Sequence, residues 1–80
     1  MRFPCSYPVK VMGPNSMEFT SAVLSIFRKH LHLDEISYAS KISSGGKYLS
    51  LTITFIAQSK EQLNEIYEDL NGHELVVMTL

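Results

Sequence analysis

The sequence predicts an α+β sandwich, a four-stranded antiparallel sheet with two helices on one of its faces. Three observations carry that expectation. Residues 47–57, KYLSLTITFIA, alternate without a break: Leu49, Leu51, Ile53 and Phe55 fall on one side, Tyr48, Ser50, Thr52 and Thr54 on the other. A period of two with one apolar side marks a half-buried strand. Two further stretches repeat apolar residues at helical spacing, and the segments between them have strand or turn chemistry.

In chain order, residues 1–4 form a short leader, and Pro4 and Pro8 favour extended backbone. Tyr7 to Met12 is the first strand, with Tyr7, Val9 and Val11 on one side and Lys10 and Met12 on the other. Pro8 has no N–H to give a ladder, so one side of the strand's start should be unpartnered there. Gly13-Pro14 ends the strand. Asn15 is a good N-cap, and Glu18 three residues on completes a capping box. The helix it opens runs to about Leu31 on a stripe of Phe19, Ala22, Val23, Ile26, Phe27 and His30. Its last turn is basic, which suits the negative end of the macrodipole. Leu33 to Glu35 connects to a second strand, Ile36 to Ser43, whose weak alternation and many serines suggest a sheet edge. Ser44-Gly45-Gly46 is the hairpin loop into the alternating strand. Ser59 and Gln62 form a capping box for a second helix with the stripe Leu63, Ile66, Tyr67 and Leu70, ended by Asn71-Gly72. Leu75 to Leu80 is the last strand, with Val76, Met78 and Leu80 expected in the core.

The order is βαββαβ in a single domain, residues 1–80. Right-handed crossovers turn it into the split βαβ, ferredoxin-like sandwich, with strands in the spatial order last, first, third, second. Both helices then cover one side and leave the other bare. The bare side carries Lys10, Met12, Tyr48, Thr52, Thr54 and Ile56. It reads either as a solvated face or as an interface, for a second copy or for a larger partner. Three loops meet at one end of the sheet: Gly13 to Asn15, Ser43 to Lys47, and Asn71 to His73.

Composition narrows the function. The chain has 80 residues, and a domain of that size buries only roughly 60% of its unfolded surface. A formal charge of −1 gives no electrostatic reason to expect nucleic acid or an anionic membrane. The single Cys5 allows no internal disulfide, and no signal peptide or membrane span is evident, so the expectation is a cytoplasmic domain.

Chemistry-bearing patterns are sparse. Ser43-Ser44-Gly45-Gly46-Lys47 lacks the glycine spacing and the strand-to-helix setting of a phosphate loop. His30, His32 and His73 do not have metal-ligand spacing, and Cys5 has no local base. No metal, cofactor or catalytic group is expected. RNA recognition on this topology needs aromatics on the bare face, where the alternating strand offers Thr52 and Thr54 with Tyr48 at its end.

Phe3-Pro4 with Tyr7 to Gly13, Gly46 to Ile53, Ile66 to Leu70 and Val76 to Leu80 resemble, in content and spacing, the YbeD-like family. These are small conserved bacterial proteins of uncharacterised function. The chain opens almost at Phe3-Pro4, without the short extension found in the family. The resemblance implies an ACT-like fold, similar to the regulatory domain of phosphoglycerate dehydrogenase, and no established catalysis. ACT-like domains that bind amino acids commonly use the first strand-to-helix loop and a subunit interface, which makes Gly13, Pro14 and Asn15 the candidate ligand site. Acylphosphatase shares the topology, but its loop carries a catalytic arginine that Met12 to Asn15 lacks. The expected function is a non-catalytic regulatory or protein-interaction module, a homodimer or bound to a larger enzyme. The alternative is a sensor of small carboxylates.

Overall fold

The computed structural model describes residues 2–31 and 36–80. Its elements are β1 (Cys5–Pro14), α1 (Met17–His30), β2 (Ser37–Ile42), β3 (Tyr48–Ala57), α2 (Lys60–Asn71) and β4 (Met78–Thr79). The sheet order is β2-β3-β1-β4, and every pairing is antiparallel. This is the expected ferredoxin-like arrangement. The predicted connection at Leu33 to Glu35, like His32, lies outside the described residues.

β1 and β3 pair along their whole length, from Cys5 opposite Ala57 to Pro14 opposite Tyr48. β1 therefore runs further than expected in both directions, and Gly13-Pro14 belong to it instead of ending it. The odd-numbered positions of both strands face the helices, and Val9, Val11, Leu51, Ile53 and Ala57 are fully buried there. Phe19, Val23 and Phe27 of α1 and Ile66 and Leu70 of α2 complete the core. Phe27 meets Phe55 edge-to-face, with ring centroids 5.6 Å apart.

Lys10 exchanges both backbone hydrogen bonds with Leu80, so the even-numbered groups of β1 point toward β4. Pro8 belongs to that set and lies beyond the last pair with β4, so its missing N–H removes no ladder bond.

Two sequence expectations are corrected. The N-cap of α1 is Ser16, not Asn15: the Ser16 hydroxyl accepts from the Phe19 N–H. Glu18 thus sits one position too early for a capping box and lends only its charge to the first turn. In β4 the parity is reversed. Thr79 pairs with Val11 and faces the helices, while Met78 and Leu80 lie on the other side, 45% and 63% exposed. A strand of two residues takes its facing from its partner's register, not from its own pattern. Of the expected core set only Val76 packs against the core, with Leu75 beside it.

α2 starts as expected on Ser59, whose hydroxyl accepts from the Gln62 N–H. The Gln62 side chain returns to the N–H of Gln58, one residue before the cap. Gly72 closes the helix, its N–H donating to Glu68.

The acidic end of α2 opposes the macrodipole of its own helix. The basic end of α1 compensates. Asp69 lies 2.8 Å from His30 Nε2 and 3.4 Å from Lys29 Nζ, and Glu65 is 3.8 Å from His30 Nδ1. The hydrogen bond from His30, helped by Lys29, holds the Asp69 carboxyl below its ordinary 3.8. A lowered carboxyl adds stability above its unfolded pKa and loses it as the pH falls through the folded one. Asp69→Asn should lower the thermal unfolding midpoint at neutral pH. The gap to wild type should close below pH 3.8, a comparison that calorimetry across the acid range makes directly. A gap unaffected by pH would refute the role of the charge.

Candidate functional site

Three surfaces offer themselves. The first is the loop at the start of α1. Gly13 is buried, and a Cβ there would collide with the Phe19 ring and stand 2.6 Å from the Leu75 carbonyl oxygen. Glycine is needed because the α1 side chain and the segment before β4 press directly on the β1 backbone. Asn15 fixes the hairpin: its N–H donates to the Lys47 carbonyl at 3.1 Å and its side-chain amide to the Gly46 carbonyl at 3.1 Å. Gly46 supplies the turn with a φ of +73°. Two of the three loops predicted to converge are thus tied together by Asn15, and the third reaches Gly13 through Leu75. In this arrangement Gly13, Pro14 and Asn15 have structural partners.

The second surface is the bare face. Lys10, Met12, Tyr48, Thr52, Thr54 and Ile56 all lie on it, as their parity requires. Lys10, Tyr48 and Ile56 are exposed, and the other three are half-buried. The reversed parity of β4 adds Met78, opposite Met12, and Leu80, opposite Lys10. Sequence reading missed these two because Leu75 to Leu80 is too evenly apolar to declare its faces.

The third surface is the β2 edge. All six residues of β2 are exposed. Tyr38, Ser40 and Ile42 pair with Ile53, Leu51 and Leu49, which puts them on the helix side of the sheet. Neither helix reaches far enough to cover them, and Tyr38 and Ile42 remain 54% and 55% exposed. Between β2 and α1 runs a groove of about 400 Å³ lined by Asn15, Ser16, Met17, Thr20, Ile42 and Leu49, among others. Met17 at its rim is 87% exposed. The serine-rich composition of β2 announced an edge, but not that its apolar side would be left uncovered.

The histidines are built into the framework. His30 is engaged by Asp69, and His73 is half-buried with Nδ1 accepting from the Leu75 N–H. Among the described residues no hydroxyl or thiol hydrogen-bonds to a histidine or carboxylate. No helix among them is long and apolar enough to cross a membrane.

A two-layer sandwich of this topology defines the class: a small ferredoxin-like α+β domain. A solved structure agrees. The solution structure of protein HP0495 from H. pylori superposes with a TM-score of 0.83 over 100% of this chain and 85% of that one, at 20% identity. The model of a protein family of unknown function, DUF493, matches residues 1–80, and the chain belongs to that family. Somewhat longer relatives are similar over nearly the whole of this chain. A UPF0250 protein of Chromobacterium violaceum is 42% identical over 98% of this chain and 89% of its own. One from Shewanella woodyi is 42% identical over 100% and 90%. UPF0250 protein NE1487 of Nitrosomonas europaea is 38% identical over 100% and 93%. The family resemblance read from the sequence is borne out, and it carries no assigned activity.

Because Gly13 is boxed in by a buried ring and a backbone oxygen, Gly13→Ala should destabilise the fold by about 1–3 kcal/mol, the usual cost of overpacking. Urea unfolding measures this. A variant as stable as wild type would mean that the contact is slack.

Proposed function

We propose that this protein is a non-catalytic interaction module that pairs with a second copy of itself along β2. The carrying observation is the free edge of that strand. Because even-numbered groups of β1 point to β4, its odd-numbered groups bond β3. Across the ladder the even-numbered groups of β3 bond β2, which leaves the N–H and C=O groups of Tyr38, Ser40 and Ile42 pointing outward. An uncovered edge of this kind is a template for another strand unless it is blunted. Here the only charged residue on it is Lys41.

A two-fold axis normal to the sheet would set Ser40 opposite the second copy's Ser40 and Tyr38 opposite its Ile42. Every outward backbone group is then paired. Lys41 falls opposite Ala39 instead of another lysine, so no like charges oppose each other. Tyr38 and Ile42, left bare by the helices, cover one another, and Met17 and the α1 groove flank the seam. The absence of a nucleophile–base pair among the described residues supports the non-catalytic part of the reading. A domain with so small a core also gains stability from burying more surface.

Sedimentation over a concentration range tests this. Wild type should shift from monomer to dimer by about 1 mM, and Ile42→Lys should stay monomeric while keeping wild-type secondary structure. A wild-type chain that remains monomeric at that concentration would end the proposal.

A further inference from the structure

A second concavity lies away from the β2 groove and shares none of its residues. Phe3 and Tyr7 form one wall, Leu63 and Tyr67 of α2 the other, with Lys60 and Asn64 at the exposed rim. Its volume of about 390 Å³ falls within the range of small-molecule pockets, roughly 300–1,000 Å³. The cavity exists because Tyr7 faces the helix side of β1 below the stretch paired with β4, so α2 and the leader residue Phe3 are its neighbours.

Its walls are apolar and largely aromatic, and the one charged group that lines it is a cation, Lys60. The Tyr67 phenol is pushed from 10.0 up to about 12 by burial, with the Tyr7 hydroxyl beside it adding to the shift. It therefore remains a protonated donor across the physiological range. Lys60 brings a positive charge and makes no ion pair with any described residue. It is also the first residue of α2, where the macrodipole is positive. Asn64, one turn further, adds an amide donor.

We propose that this pocket binds a small aromatic carboxylate, its ring between Phe3, Tyr7 and Tyr67 and its acid group toward Lys60 and Asn64. An aromatic ring suits walls of aromatic rings through offset or edge contacts. A carboxylate supplies the negative charge and the acceptor oxygens that the Lys60 ammonium, which has no acceptor of its own, calls for. A cationic or purely apolar ligand would leave Lys60 repelled or unanswered.

Phenylacetate is a suitable probe in a heteronuclear NMR titration of the full chain. It should give saturable shifts at Tyr7, Leu63, Asn64 and Tyr67, with a dissociation constant of about 1 mM or tighter. Phenylacetamide, of the same shape without the charge, should bind about tenfold more weakly, as should phenylacetate to Lys60→Met. Lys60 is exposed, so that variant should keep the wild-type spectrum elsewhere. The proposal is overturned if no saturable shift appears by about 10 mM, if acid and amide bind equally, or if the lysine variant binds like wild type. Acetate giving the same affinity would likewise remove the aromatic part.

The pairing of the two phenols has its own check. In an ultraviolet titration of the phenols, Tyr67 should ionise at about 12, and Tyr7→Phe should bring it down. Ionisation of Tyr67 at its ordinary 10.0 would deny the two phenols their shared environment.

Discussion

The rest of the structure depends on the ladder between β1 and β3. From Cys5–Ala57 to Pro14–Tyr48 it runs in one register without a bulge. Because side chains alternate along both strands, one register settles which residues of each face the helices. Val9, Val11, Leu49, Leu51, Ile53 and Phe55 then form one apolar floor, and the stripes of α1 and α2 have a single place to be buried. A slip of one residue would turn Thr52 and Thr54 inward and leave the helices without a partner surface.

The helices sit on that floor in a way that resolves their own electrostatics. α1 ends in three basic residues and α2 in acidic ones. Each end alone would be ordinary or unfavourable. Packed together they form the Lys29–His30–Asp69 cluster, which joins the two helices at the surface. The same placement has a consequence at the sheet edge. With the helices centred over β1 and β3, β2 is left bare on its helix side, and Tyr38 and Ile42 are exposed by geometry, not by any polarity of their own.

Function in such a domain has to come from what the core leaves over. The glycine loop is used internally: Phe19 presses on Gly13, and Asn15 holds the hairpin. Besides the bare face, two features remain outward-looking, the unpaired edge of β2 and the pocket beside α2 with Lys60 at its rim. They are lined by different residues, so pairing at one leaves the other accessible. The pairing proposed at one and the binding of a small acid proposed at the other both rest on shape and polarity, with no nucleophile–base pair among the described residues.

The sequence by itself determined the elements with strong internal pattern. The alternation of residues 48–57 and the cap and stripe of α2 read correctly because hydrophobic periodicity and Ser59–Gln62 spacing are local properties. The strand order followed from element order and crossover handedness. Only the tertiary structure decided the rest, where two local choices were equally good. Asn15 and Ser16 can each cap a helix. Ser16 does so because Asn15 is drawn away by the carbonyls of residues 46 and 47, which lie far along the chain. Val76 to Leu80 has no distinct faces, so the pairing of Thr79 with Val11 had to choose them. Gly13 read in the sequence as the end of a strand and is a contact point, since only the arrival of Phe19 and Leu75 from other segments makes a side chain there impossible. The pocket between Phe3, Tyr7 and α2 was equally unreadable. Its walls come from the N-terminal segment and from α2, far apart in the chain, and no periodicity within either one records that they meet.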